Sequence, residues 1–221
     1  MKTFRAFTMI ELIFIIVVVG ILAAVAIPRV ERNGLIEAAD QLAAHIRYTQ
    51  QLAMSDNKFD ANDNNWHRRA WRIRFNGTTY EIFDGRITAD NTGEINRLAG
   101  GAVVSEFAVD PMNPAKFLTS GNVVNANERN TRLNLGQTYS IAIIALGGSC
   151  ANQNHIMFDS KGRPMADNAN LYGGLYAATC TITLTNAAGD TAVIFVQPET
   201  GYVGASATDN PAGGDILYAI N

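Results

Sequence analysis

From Leu12 to Ile27 the chain has no polar side chain, and the one ionisable group at the edge of that run is Glu11. Coiled as a helix, Phe7 to Ile27 would be roughly 31 Å long. Three readings compete. Lys2 and Arg5 ahead of the run, and Ala24-Val25-Ala26 as a small-x-small triplet, suit a secretory signal peptide. The same length suits an ordinary anchor across a bilayer, with its amino end cytoplasmic. Neither accounts for Glu11, because an ionisable group in such a run is costly unless it is paired. Neither accounts for the residues after the run. Leu35, Ala39, Leu42, Ile46 and Ala53 continue at helical spacing, with Glu37, Gln41, Arg47 and Gln51 between them. The spacing predicts one helix from Phe7 to about Ser55, on the order of 70 Å, kinked but not ended at Pro28.

The segment Ala6-Phe7-Thr8-Met9-Ile10-Glu11 resembles the processing motif of type IV pilins and type II secretion pseudopilins. Counted from Phe7, Glu11 is the fifth residue of the mature chain, Gly20 the fourteenth and Pro28 the twenty-second, as in that family. Ala6 stands where the family usually has Gly. The resemblance implies a leader, residues 1–6, removed by prepilin peptidase, with N-methylation of Phe7. It also implies an assembly role for Glu11, as partner of the Phe7 ammonium of a neighbouring subunit, since a buried charge pair is tolerable and fixes register. Gly20 and Pro28 bracket a stretch of helix that would loosen on packing.

Beyond the polar stretch "NKFDANDNN" (57–65) the periodicity changes to two. "AWRIRFNGTTYEIFDG" alternates about Asn76-Gly77, a hairpin signal. "TYSIAIIAL", "HIMFDSKGRPM" and "CTITLTNAAGDTAVIFVQPETGYV" read as further strands, the last turning at Ala188-Gly189-Asp190. Residues 86–137 are irregular, with Ala102 to Val109 as one strand candidate. The tail from Gly204 reads as loop, with Ile216 to Ile220 as a returning edge strand. Phe158, Gly162, Thr200 and Gly201 match a pattern of the H-type minor pseudopilin and related minor pilins. The predicted fold is therefore α+β and pilin-like: a long N-terminal helix, transmembrane then amphipathic, packed on an antiparallel β-sheet head. Its parts are the leader (1–6), a transmembrane and assembly helix (7–28), the amphipathic half (29–57) and a β-rich head (58–221). Cys150 and Cys180 are the only cysteines; they are too few and too far apart for a zinc site, and in an exported domain they are expected to form one disulfide.

No residue pattern suggests catalysis or a cofactor. Asp60, Asn62 and Asn64 alternate like the start of a calcium loop, but no Gly follows and Trp71 stands where the closing Glu belongs. His45, on the helix, reads as a structural contact; His67, beside Trp66, Arg68 and Arg69, as part of a solvated loop; His155 as the start of a strand. There is no nucleophile elbow and no phosphate loop. A net charge of −3 disfavours nucleic acid, which is bound through Lys and Arg. The family's DNA-uptake members carry basic residues after the final Gly, where this chain has Tyr202-Val203-Gly204. The resemblance implies a minor pilin or pseudopilin, not an enzyme. Its partners would be other pilins or pseudopilins, prepilin peptidase, and an inner-membrane assembly platform with its ATPase. It would sit in the bacterial inner membrane, single-pass with a periplasmic head. The alternative is a tip module of a type IV pilus that binds DNA or an external surface.

Overall fold

The computed structural model describes residues 8–26, 34–62, 66–84, 97–98, 101–102, 107–121, 126–166, 174–208 and 216–220. The chain divides into two compact units, Met1–Asn33 and Gly34–Asn221. Helix α1 (Met9–Ala26) belongs to the first. The second begins with helix α2 (Gly34–Ser55). In the sequence between them, Pro28 lacks a helix donor and disfavours helical backbone at Ile27, and Asn33-Gly34 are weak helix formers.

Most of the second unit is strand. β1 (Trp71–Asn76) and β2 (Thr79–Asp84) form the hairpin expected about Asn76-Gly77, with Gly77 at φ 59°. Short pairs come next: β3 (Arg97–Leu98) with β4 (Gly101–Ala102), and β5 (Val109–Asp110) with β6 (Asn113–Phe117). A one-turn helix, α3 (Leu135–Tyr139), leads into β7 (Ile141–Gly148). Then come β8 (His155–Phe158), β9 (Pro164–Met165), β10 (Cys180–Asn186), β11 (Thr191–Val196), β12 (Val203–Thr208) and β13 (Ile216–Ile220). The larger sheets have the orders β2-β1-β8-β9 and β13-β12-β11-β10-β7, with every pairing antiparallel.

Helix α2 buries Leu35, Ala38, Ala39, Leu42, Ala43, Ile46 and Ala53, a stripe at i, i+3/i+4 and i+7. These side chains share one apolar core with Ile73 and Ile156 of the first sheet and Ile182 and Ile194 of the second. The alanines in the stripe let the helix sit close to both sheets. Its polar side chains then reach backbone: the Arg47 guanidinium donates to Val203 O at 2.7 Å.

This architecture corrects the expected one. The single long helix is two separate elements in two units, and its amphipathic half covers two sheets where one was expected. Helix α1 has 18 residues, about 27 Å, which is short of the ~30 Å hydrocarbon core of a bilayer. Among the described residues no helix is long and apolar enough to cross a membrane. The expected transmembrane helix and single-pass inner-membrane location with a periplasmic head therefore lose their basis. The tail is also corrected. Gly204 to Thr208 is not loop but part of strand β12 (Val203–Thr208), and Ile216–Ile220 pairs with its far edge. Small residues suit β12 because the Phe195 ring lies over it: a Cβ on Gly204 would come within 2.3 Å of that ring.

Candidate functional site

Helix α1 starts at a cap. The Glu11 amide donates to Thr8 O at 3.1 Å and to the Thr8 hydroxyl at 3.4 Å. Thr8-Met9-Ile10-Glu11 has the spacing of a capping box, and an acidic residue in the first turn also suits the positive end of the helix dipole. The sequence signal is Thr-x-x-Glu ahead of an apolar run, and the bond observed in it is the one the Thr8 hydroxyl accepts. Every described side chain from Thr8 to Leu22 is exposed, on all faces of the helix. They include Met9 at 82 %, Phe14 at 68 % and Leu22 at 64 %. Gly20 sits mid-helix, and a Cβ there would meet nothing within 4 Å. Ala6, Phe7 and Pro28 lie outside the described residues.

In the second unit, three of the four residues of the minor-pseudopilin pattern, Gly162, Thr200 and Gly201, meet one side chain of α2. Gln50 Nε2 donates to Gly162 O at 2.8 Å and to Thr200 O at 3.0 Å. Gly162 and Gly201 both have positive φ, and a Cβ on Gly201 would stand 2.1 Å from Gly162 O. Phe158 is fully buried at the end of β8. The cluster thus clamps α2 to the turns after β8 and before β12.

The opposite half of α2 is tied down by a polar chain. Arg132 donates to the Tyr139 hydroxyl, which donates to Gln41 Oε1 at 2.8 Å. Gln41 Nε2 donates to Arg132 O and to the Tyr80 hydroxyl oxygen. Tyr80 is buried, so its one proton goes to His45 Nδ1, 2.7 Å away. That fixes His45 as the neutral tautomer accepting at Nδ1. Burial lowers its pKa from 6.5 to about 4; nearby Asp110 opposes the shift and Arg132 adds to it. His45 is therefore the structural contact its place on the helix suggests.

His67 differs from its expectation. It lies in a short 3-10 helix, Trp66–Arg69, and is 5 % exposed. Trp66, His67, Trp71, Phe158 and Met165 line a small apolar hollow. Its rim carries the Lys58 ammonium, paired with both Asp56 and Asp84. His155 opens β8 beside Asn154. Asp60 accepts the Asn62 amide, an ordinary Asx turn. Among the described residues no cluster of His, Cys, Asp and Glu is arranged to hold a metal. Cys150 and Cys180 are joined by a disulfide, Cα–Cα 5.1 Å, tying the turn after β7 to the start of β10.

Comparison with family models, with curated proteins and with solved structures gave no match to this chain.

Proposed function

We propose that this chain is a structural subunit of the pilin type, a minor pilin or pseudopilin of a type IV pilus or type II secretion pseudopilus, that polymerises through helix α1. The observation that carries the reading is the exposure of α1 on every face from Thr8 to Leu22. A helix that is apolar all round is a helix built to be buried, and copies of itself bury it at matching length. Glu11 is the one ionisable group on α1. Once neighbouring helices surround it, it needs a cation, and the amino group created by cleavage before Phe7 supplies one. The partners on this reading are other pilins or pseudopilins, prepilin peptidase and an assembly ATPase with its platform. The chain acts by packing and needs no catalytic group of its own. Mass spectrometry of the chain from its native host tests the processing step. The expected mature protein begins at methylated Phe7. A first residue at Ile27, after the Ala24-Val25-Ala26 triplet, would contradict the reading.

A further inference from the structure

Both edges of the four-stranded sheet are covered. Ile82 of β2 bonds outward to Leu118 and Ala108, and the β9 edge is closed by Pro164 and Ala166 bonding to Tyr176 and Gly174. The β7 edge of the five-stranded sheet is different. β7 pairs with β10 on one side, and among the described residues nothing pairs with the other. Its eight residues, "IAIIALGG", include no charge and no proline. Ala142, Ile143, Ala145 and Gly148 are exposed. Edge strands are normally blunted by charges, proline or a covering segment, because a bare edge recruits another strand. Among the described residues this one has none of those devices along its outer side.

The direction of its free groups is set by register. The Ser149 amide donates to Thr179 O, and that pair is in phase with Gly147–Thr181, Ala145–Thr183 and Ile143–Thr185. Those residues spend their backbone groups on β10, so Ile144 and Leu146 aim N–H and C=O at the open edge. Such a row recognises one chemistry, an extended backbone.

We infer that the open β7 edge pairs antiparallel with β7 of a second copy of this chain, about a two-fold axis at Ala145. In that register Ile144 and Leu146 of each copy exchange hydrogen bonds with Leu146 and Ile144 of the other. Ala145 meets its own equivalent at a non-hydrogen-bonded position, where strands come closest and a small side chain fits. Ile143, 56 % exposed, falls opposite Gly147, which has no side chain to obstruct it. Charge points to the same occupant. The chain is acidic overall, so two copies approach best through an uncharged surface. The outward face beside this edge, with Thr181, Thr183, Val193 and Phe195, is uncharged too. A two-fold pair is closed and adds no third copy, so the inference stands apart from polymerisation through α1.

Site-specific crosslinking of the full-length chain tests it. Under mild copper oxidation, Ala145→Cys should give a covalent dimer as the main species on a non-reducing gel, with peptide mapping placing the link at the introduced thiols. Adding Ile143→Lys, at an exposed position where the fold tolerates it, should lower the dimer yield at least tenfold, because a lysine on an edge strand is one of the devices that keep another strand from pairing. Thr183→Cys, one strand further in on the same face, should give no dimer. The inference is overturned if Ala145→Cys stays monomeric, if Ile143→Lys leaves the yield unchanged, if Thr183→Cys crosslinks equally, or if the link runs through Cys150 or Cys180.

Discussion

His45 and Gly201 show how single residues hold α2 in place. His45 is neutral in the folded chain down to about pH 4, whereas the unfolded chain protonates it near 6.5. Between those values the unfolded state binds more protons, so stability rises with pH. The contribution is fully present above pH 6.5 and is lost as pH falls toward 4, at about 3 kcal/mol in all. Urea midpoints at pH 7 and pH 4 should therefore converge in His45→Gln by about that amount relative to wild type; equal pH dependence in both would contradict the buried neutral assignment. Gly201 has φ 64° and faces Gly162 O across a gap that no Cβ fits. Gly201→Ala should cost at least about 2 kcal/mol in a thermal or urea melt. The sequence picks out Phe158, Gly162, Thr200 and Gly201 by pattern. It does not reveal Gln50, whose side chain joins Gly162, Thr200 and Gly201, because a contact between positions 50 and 162 leaves no local signal.

At the scale of elements, legibility depends on how local the cause is. The β1–β2 and β10–β11 hairpins carry alternation and a glycine turn within a dozen residues, and both form where the sequence places them. β12 reads as loop in the sequence because Gly-Ala-Ser-Ala lacks strand formers; its strand character comes from the Phe195 ring above it and from β11 and β13 on either side. The division of the expected helix into α1 and α2, in two units, is the larger departure from expectation. Periodicity continues across it in the sequence, while Pro28 and Gly34 weaken the helix there. The disulfide links elements whose pairing is already set by the β7–β10 register, and it closes a loop with a sequence separation of 30. The chain-entropy estimate for such a loop is about 3–4 kcal/mol. The double variant Cys150→Ser, Cys180→Ser should lose stability of that order in urea, with the loss reproduced in wild type by reductant; unchanged midpoints would show that the register alone suffices.

On the scale of the whole molecule the two units divide the work. Gly34–Asn221 is a compact unit with its own core, and a fragment of those residues should fold on its own. Its far-ultraviolet circular dichroism should show a cooperative melt, and a non-cooperative one would mean that the unit depends on residues 1–33. The side chains from Thr8 to Leu22 supply an exposed apolar surface, and the central claim is that other copies cover it, with Glu11 pairing inside the bundle. The cap supplied by Thr8 makes a sharp comparison possible. Glu11→Gln leaves the Thr8 cap and its Thr-x-x-Glu/Gln spacing in place, but removes the charge that a buried ammonium would need. The decisive measurement is the amount of this subunit recovered in sheared, sedimented filaments from host cells expressing wild type or Glu11→Gln at equal levels. Polymerisation through the charge pair predicts recovery at least tenfold lower for Glu11→Gln. Equal recovery would mean that Glu11 does no more than start a helix, and would contradict polymerisation through a charge pair at this residue.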